Sequence, residues 1–251
     1  KMKNKIAIFT VIFGLILCSN AVCKEKNKAK IVASTSWVAA IAELAGIDNV
    51  PTIAPVNLKH PPEYEIKPMD ILKVSQADLF IYAGYERMMK TISEAAEVDK
   101  SKIAKVKTTN TYENLSNMVK MLSEKAGTQK EAERRFKQYN ELIQKTRKLI
   151  KETGLDKKTV YAHKDQAQLA KDLGLNVIAT FGSAPLTSDQ ILFASENQID
   201  IIIDNVHNPI ASPAAEVCPN AKLLIWRNFP EKMEKNALYN VIKNNCESLF
   251  E

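Results

Sequence analysis

The sequence predicts an α/β protein of two lobes, each a mostly parallel sheet flanked by helices, joined by one long backbone helix. Three observations predict it. A short apolar run, a loop and a helical pattern recur along the chain, and the runs are apolar on both faces, as central parallel strands are. A single helical stripe separates the recurrences. The lobes are then residues 23–127 and 155–251, with the linking helix at 128–154.

Taken in order, Lys30-Ile31-Val32-Ala33-Ser34-Thr35-Ser36 is an apolar run ending in hydroxyls, and Trp37 to Ala45 suits a helix stopped by Gly46. The unit recurs as Ala77 to Ala83, followed after Gly84 by a helical Glu86 to Ala96. Thr128-Gln129-Lys130-Glu131 reads as a capping box, and Phe136, Tyr139, Ile143, Leu149 and Ile150 then repeat at helical spacing until Gly154. That helix of roughly 26 residues would reach about 39 Å, enough to run the length of a two-lobed molecule. Strands follow at Thr159 to Ala162, Asn176 to Thr180, Ile199 to Ile203 and Lys222 to Trp226, with a helix from Asp165 to Leu173 that Gly174 closes.

Composition bounds the function. The 251 residues are 45% hydrophobic and 25% charged, which fits a folded globular chain. None of the 7 glycines is spaced for a phosphate-cradling GxGxxG or GxxxxGK[ST] loop. Residues 1–22 read as a secretory signal peptide: Lys1, Lys3 and Lys5, an apolar run from Ile6 to Leu17, then small residues at Ser19 and Ala21. Cys23, with charged residues behind it, is an alternative lipid-anchored start. Without Lys1, Lys3 and Lys5, 32 bases face 29 acids, too small a surplus for nucleic-acid binding. An extracytoplasmic location follows, where Cys218 and Cys246 either oxidise or stay buried as thiols.

The chain has 3 histidines, His60, His163 and His207, each in or beside a loop that follows a strand. In open parallel sheets ligands bind beyond the carboxyl ends of the strands, so loops from two lobes can meet in one cleft. Three neutral imidazoles there would suit Zn²⁺, with a carboxylate or water in the fourth position. Asp204 is read either as a further ligand or as the cap of the segment after it. Trp37 and Trp226 are read as core or cleft wall.

With this spacing laid out, residues 29–229 resemble the metal-binding solute-binding proteins of zinc and manganese ABC transporters, the cluster with a helical backbone between two lobes. The likeness lies in Ile31 to Trp37, in Glu63-Tyr64-Glu65-Ile66-Lys67-Pro68-Met69-Asp70, in Ala77 to Gly84 and in His163 to Leu175. The resemblance implies an extracytoplasmic receptor, periplasmic or at the cell surface, that captures a divalent metal ion as a monomer and hands it to a membrane permease. It also implies four ligands, and the carry-over is uneven. His163 falls on the third, in the form typical of the zinc branch, so Zn²⁺ is the expected cargo and Mn²⁺ stands behind it. The first falls on Pro62, with His60 two places early. The second should precede the long helix, where Thr108 to Tyr112 has no histidine. Trp226-Arg227-Asn228 stands where the fourth, an aspartate, belongs. A guanidinium at close range would repel a dication by roughly 4 kcal/mol, so Arg227 must turn away, meet an anion or mark a lost site. His207 is expected to replace a missing ligand.

Other readings compete. Arg227 at the cleft would suit an anion or a metal chelate on the same fold. Three histidines and a water would also suit a zinc-dependent hydrolase, though HExxH and an evident general base are absent. A surface adhesin would need an apolar or aromatic patch that the sequence does not declare.

Overall fold

The computed structural model describes residues 29–58, 60–95 and 99–251. The proposed signal segment and Cys23 lie outside these residues, as does Ala96. No described helix is long and apolar enough to cross a membrane.

The first half of the chain builds a parallel sheet from β1 (Ile31–Ala33), β2 (Leu79–Tyr82) and β3 (Ile103–Lys105), in the order β1-β2-β3. The second half builds another from β4 (Thr159–His163), β5 (Asn176–Phe181), β6 (Ile201–Asn205) and β7 (Lys222–Trp226), in the order β5-β4-β6-β7. All the paired strands run parallel. The expected strands are therefore present, and β3 is an addition. Its three residues carry too short an apolar pattern to announce a strand on their own.

Between and around the strands run α1 (Ser36–Leu44), α2 (Pro68–Ser75), α3 (Met88–Ala95), α4 (Tyr112–Ala126), α5 (Gln129–Glu152), α6 (Lys164–Asp172), α7 (Ser188–Glu196), α8 (Ser212–Val217) and α9 (Ala237–Glu247). Helix α2 explains the shared Tyr-Glu stretch: Pro68 opens the helix, and the Asp70 carboxylate accepts from the Lys67 N–H at 3.1 Å and the Tyr64 hydroxyl at 2.9 Å.

Helix α5 is the expected linking helix, 24 residues and so about 36 Å long. Its start corrects the capping-box reading. The Thr128 hydroxyl donates to the Ala45 carbonyl at 2.6 Å, and Glu131 pairs with Arg134 and Arg135. Tertiary contact thus takes the groups that a local cap would have used. Gly46, at φ +84°, is required at this junction, because a Cβ there would lie 3.0 Å from the Ala132 nitrogen.

One continuous apolar cluster joins the lobes, running from Ile81 and Leu115 through Tyr139 and Ile143 of α5 to Ile203 and Ile242. Helix α1, from the first lobe, packs against α9 at the chain's end as well as against α5. Arg135 of α5, 5% exposed, fastens this junction: it reaches the Glu43 carbonyl at 2.6 Å and the Glu43, Asp48 and Glu131 carboxylates at 2.7–2.8 Å. Glu43 also accepts from the Asn236 N–H at 3.1 Å. Cys218 and Cys246 are both free and buried, so the pairing considered from the sequence is absent. Burial pushes both thiols up, Cys246 to about 11.

Candidate functional site

A cavity of about 600 Å³ lies between the lobes, and the segments that follow all seven strands contribute to it. Parallel strands end their carboxyl termini on one side, so both sheets deliver their loops to the same crevice. The first lobe supplies Thr35 and Trp37 after β1, Tyr85 after β2 and Thr108 after β3, together with His60 and Glu63. The second supplies Lys164 and Asp165 after β4, Ser183 after β5, His207 and Asn208 after β6, and Phe229 after β7.

Two of the three histidines meet here. His60 is exposed at the entry to a short turn, Pro61–Glu63, where two prolines stiffen the backbone. His207 is half-buried and lies flat on Phe229, with ring centroids 3.7 Å apart and planes 8° apart. Its ring is held neutral: burial, then the Arg227 guanidinium, push its pKa down to about 4, against the opposing hydrogen bond of the Phe229 backbone. His60 is near enough to add to that lowering. The Nε2 of His207 is buried and has no hydrogen-bond partner.

His163 is not part of the cavity lining. It ends β4, has no exposed surface and accepts from the Asp165 N–H through Nδ1 at 3.2 Å, which makes it the N-cap of α6. Its Nε2 lies 3.5 Å from the Asn208 side-chain nitrogen, and Asn208 itself lines the cavity. Burial pushes its pKa down too, against Asp165 and Asp204. The expected convergence of three rings is therefore corrected: His60 and His207 share a cavity, and His163 sits behind its wall because a helix start engages one ring nitrogen. Among the described residues no three His, Cys, Asp or Glu side chains are grouped to hold an ion.

The remaining candidates fall into place. Asp204 serves as the cap: one carboxylate oxygen accepts from the Ile210 and Ala211 N–H groups at 2.9 and 2.8 Å. Arg227 meets an anion, Glu231, at 2.5 Å and does not line the cavity, which removes the basis for expecting it to recognise a ligand directly. Trp226 is core and Trp37 is cleft wall.

Of the aromatic wall, only Trp37 is legible in the sequence as a side chain of core or cleft. Phe229 stacks on Trp37 of the other lobe, centroids 5.6 Å apart, as well as on His207. Behind it Trp37 Nε1 donates to Asn110 at 3.2 Å, and Asn110 donates across the seam to the Asn228 carbonyl at 2.7 Å. For Phe229 the available clue is an aromatic three residues beyond the end of β7, and it gains meaning only when both lobes are in place.

Neutral imidazoles carry a pH consequence. His207 and His163 have folded pKa values below the usual 6.5, so the unfolded chain takes up protons first as pH falls. The contribution of His207 is complete above about pH 6.5 and is lost progressively toward pH 4, and that of His163 is lost in the same direction. Chelator-treated protein should show a lower urea midpoint at pH 5 than at pH 7, with the difference reduced in His207→Asn. An equal pH difference in both proteins would contradict the assignment to His207.

No protein-family model matches the chain. Over 89 residues it is 36% identical to the manganese ABC transporter substrate-binding lipoprotein PsaA of Streptococcus pneumoniae, which covers 34% of this chain and 28% of that protein. The matched segment thus spans little more than a quarter of that relative. The solved structure of the SBP FpvC of Pseudomonas aeruginosa with Ni²⁺ superposes on 88% of this chain and 96% of its own, with a TM-score of 0.67 and 13% identity. The Cd-bound periplasmic metal binding protein of candidatus Liberibacter asiaticus covers 88% and 99%, with a TM-score of 0.60 and 18% identity. At these identities the structural likeness is one of fold. In sequence over 34% of its length the chain resembles the substrate-binding lipoprotein of a manganese ABC transporter, and over 88% of it the chain shares its fold with metal-binding proteins solved with Ni²⁺ and Cd²⁺.

Proposed function

We propose that the protein is the extracytoplasmic substrate-binding protein of an ABC transporter, a monomeric receptor and not an enzyme, which captures a divalent metal ion and delivers it to a membrane permease. The observation that carries this reading is His207. A metal-binding imidazole is neutral, fixed in orientation, held at one nitrogen by a backbone or carboxylate acceptor and free at the other. His207 has a neutral ring, a flat stack on Phe229, a backbone partner at Phe229 and an unpartnered Nε2. His60 is the second donor at the same cavity, and His163 is the supporting ring behind Asn208.

Zn²⁺ is the preferred cargo, because imidazole nitrogen suits it better than it suits the harder Mn²⁺. Mn²⁺ stands second, since Glu63 and Asp165 offer carboxylates at the same cavity. The relatives name manganese, nickel and cadmium, so the choice of zinc rests on the donors of this chain. A location at the cell surface or in the periplasm is in keeping with the lipoprotein relatives.

The test is elemental analysis of natively purified protein by plasma mass spectrometry. Near-stoichiometric metal is expected in the natural protein, and His207→Ala should weaken metal affinity by at least about tenfold, the lower end of what even an indirect partner of a metal contributes. Retention of full metal by His207→Ala, with circular dichroism unchanged, would overturn the assignment.

A further inference from the structure

We propose that the cargo enters as a chelate, a divalent ion already held by a small amino- or hydroxycarboxylate, with His207 Nε2 completing its coordination. The inference deepens the receptor reading and rests on it. Three features of the cavity point to it: its size, its shortage of ligands and the chemistry of its walls.

Size comes first. With about 30 Å³ per water, an ion with six waters takes on the order of 200 Å³. The cavity encloses about 600 Å³, a volume in the range of sites for small organic molecules. A bare ion bound at His207 would leave most of that space to solvent.

Ligand count comes second. A zinc site closed by protein uses four donors, and an open one uses three. Among the described residues no group of three or more His, Cys, Asp and Glu exists. His60, Glu63, Asp165 and His207 all line the cavity but are spread around it, no three of them grouped on one point, so an ion at His207 draws most of its coordination sphere from what comes with it.

The walls are the third feature. Trp37, Phe229 and His207 form a stacked aromatic surface rather than a ring of charges, and such a surface holds the face of an organic group. Asn228, 5% exposed and lining the cavity, has a buried Oδ1 without a partner, an acceptor suited to an amine or hydroxyl hydrogen. Lys164 is exposed and lines the cavity, where its ammonium can meet a carboxylate. Metal to His207, N–H or O–H to Asn228 and carboxylate to Lys164 together describe a metal aminocarboxylate or hydroxycarboxylate. No bond to carbon forms or breaks; the metal exchanges one water or chelate donor for imidazole nitrogen.

The test separates a chelate from an ion by thermodynamics. Free Zn²⁺ is clamped at one activity with a metal buffer, and L-histidine or citrate is added to the whole natural protein, with Mn²⁺ as a parallel series. A bare-ion site responds only to free metal, whereas a chelate site fills further as the complex accumulates. We expect occupancy at fixed free metal to rise at least fivefold with one of the two chelators, and native mass spectrometry to show protein, metal and chelator in one complex. Occupancy that follows free metal alone in both series would overturn the chelate and leave the metal receptor standing. If neither metal binds, with or without chelator, the receptor reading falls and the chelate with it.

Discussion

Replacing Arg135 by leucine is expected to cost about 3–5 kcal/mol of folding stability, the usual result of removing one partner from a buried ionic group. The guanidinium is 5% exposed, and the Glu43 side chain against it only 9%. Glu43 would then be left as a buried carboxylate with little beyond the Asn236 N–H to satisfy it. Burial already raises the Glu43 pKa, with Arg135 opposing, so the loss of Arg135 must raise it further. Urea denaturation should show a large fall in midpoint, and Glu43→Gln in the same background should recover part of it, because a neutral amide costs less to bury than an ion. A loss below about 1 kcal/mol would mean that the junction of α1 and α5 rests on apolar packing alone.

Phe229→Ala carries the second large effect, and it should appear in two measurements. Phe229 is 7% exposed, and truncating a buried phenylalanine typically costs about 3–5 kcal/mol. The same change removes the surface on which His207 lies and the contact with Trp37 of the opposite lobe. Metal affinity should therefore fall with stability. Phe229→Tyr keeps the ring and is expected to preserve both, so affinity lost in Phe229→Tyr as well would show that the stack does not hold His207 in place.

Both effects involve features of unequal legibility. Strands β2, β4 and β6 could be read because a strand buried within a parallel sheet is apolar at consecutive positions, as in Ile201, Ile202 and Ile203; β7 shows the same run although it is an edge strand that exposes Leu223 and Ile225. Helix α5 could be read from its stripe. Helix α4 is less legible, because its buried side chains Leu115, Val119 and Leu122 are spread among polar neighbours that carry no start signal as explicit as a capping box. At the site, the loop bearing His207 followed from the end of β6, whereas His60 lies in the segment between α1 and α2 and follows no strand, and His163 depended on which way its ring nitrogens faced. That orientation is fixed by α6 and Asn208, which lie 2 and 45 residues away. Arg135 reads as one more cation on a polar helix until α1 is laid across it.

The shared apolar interior beneath the cavity, with α1 crossing to α9, has a consequence for unloading. Two bodies fused along their backs cannot part like jaws. If the chain carries a metal ion as proposed, its collection is expected to work at the mouth, by displacing the proline-stiffened turn at His60 or by drawing His207 off its aromatic seat. On the proposed function, the protein is expected to present nearly the same outline full or empty, and a permease would sense the difference from a few side chains at the rim.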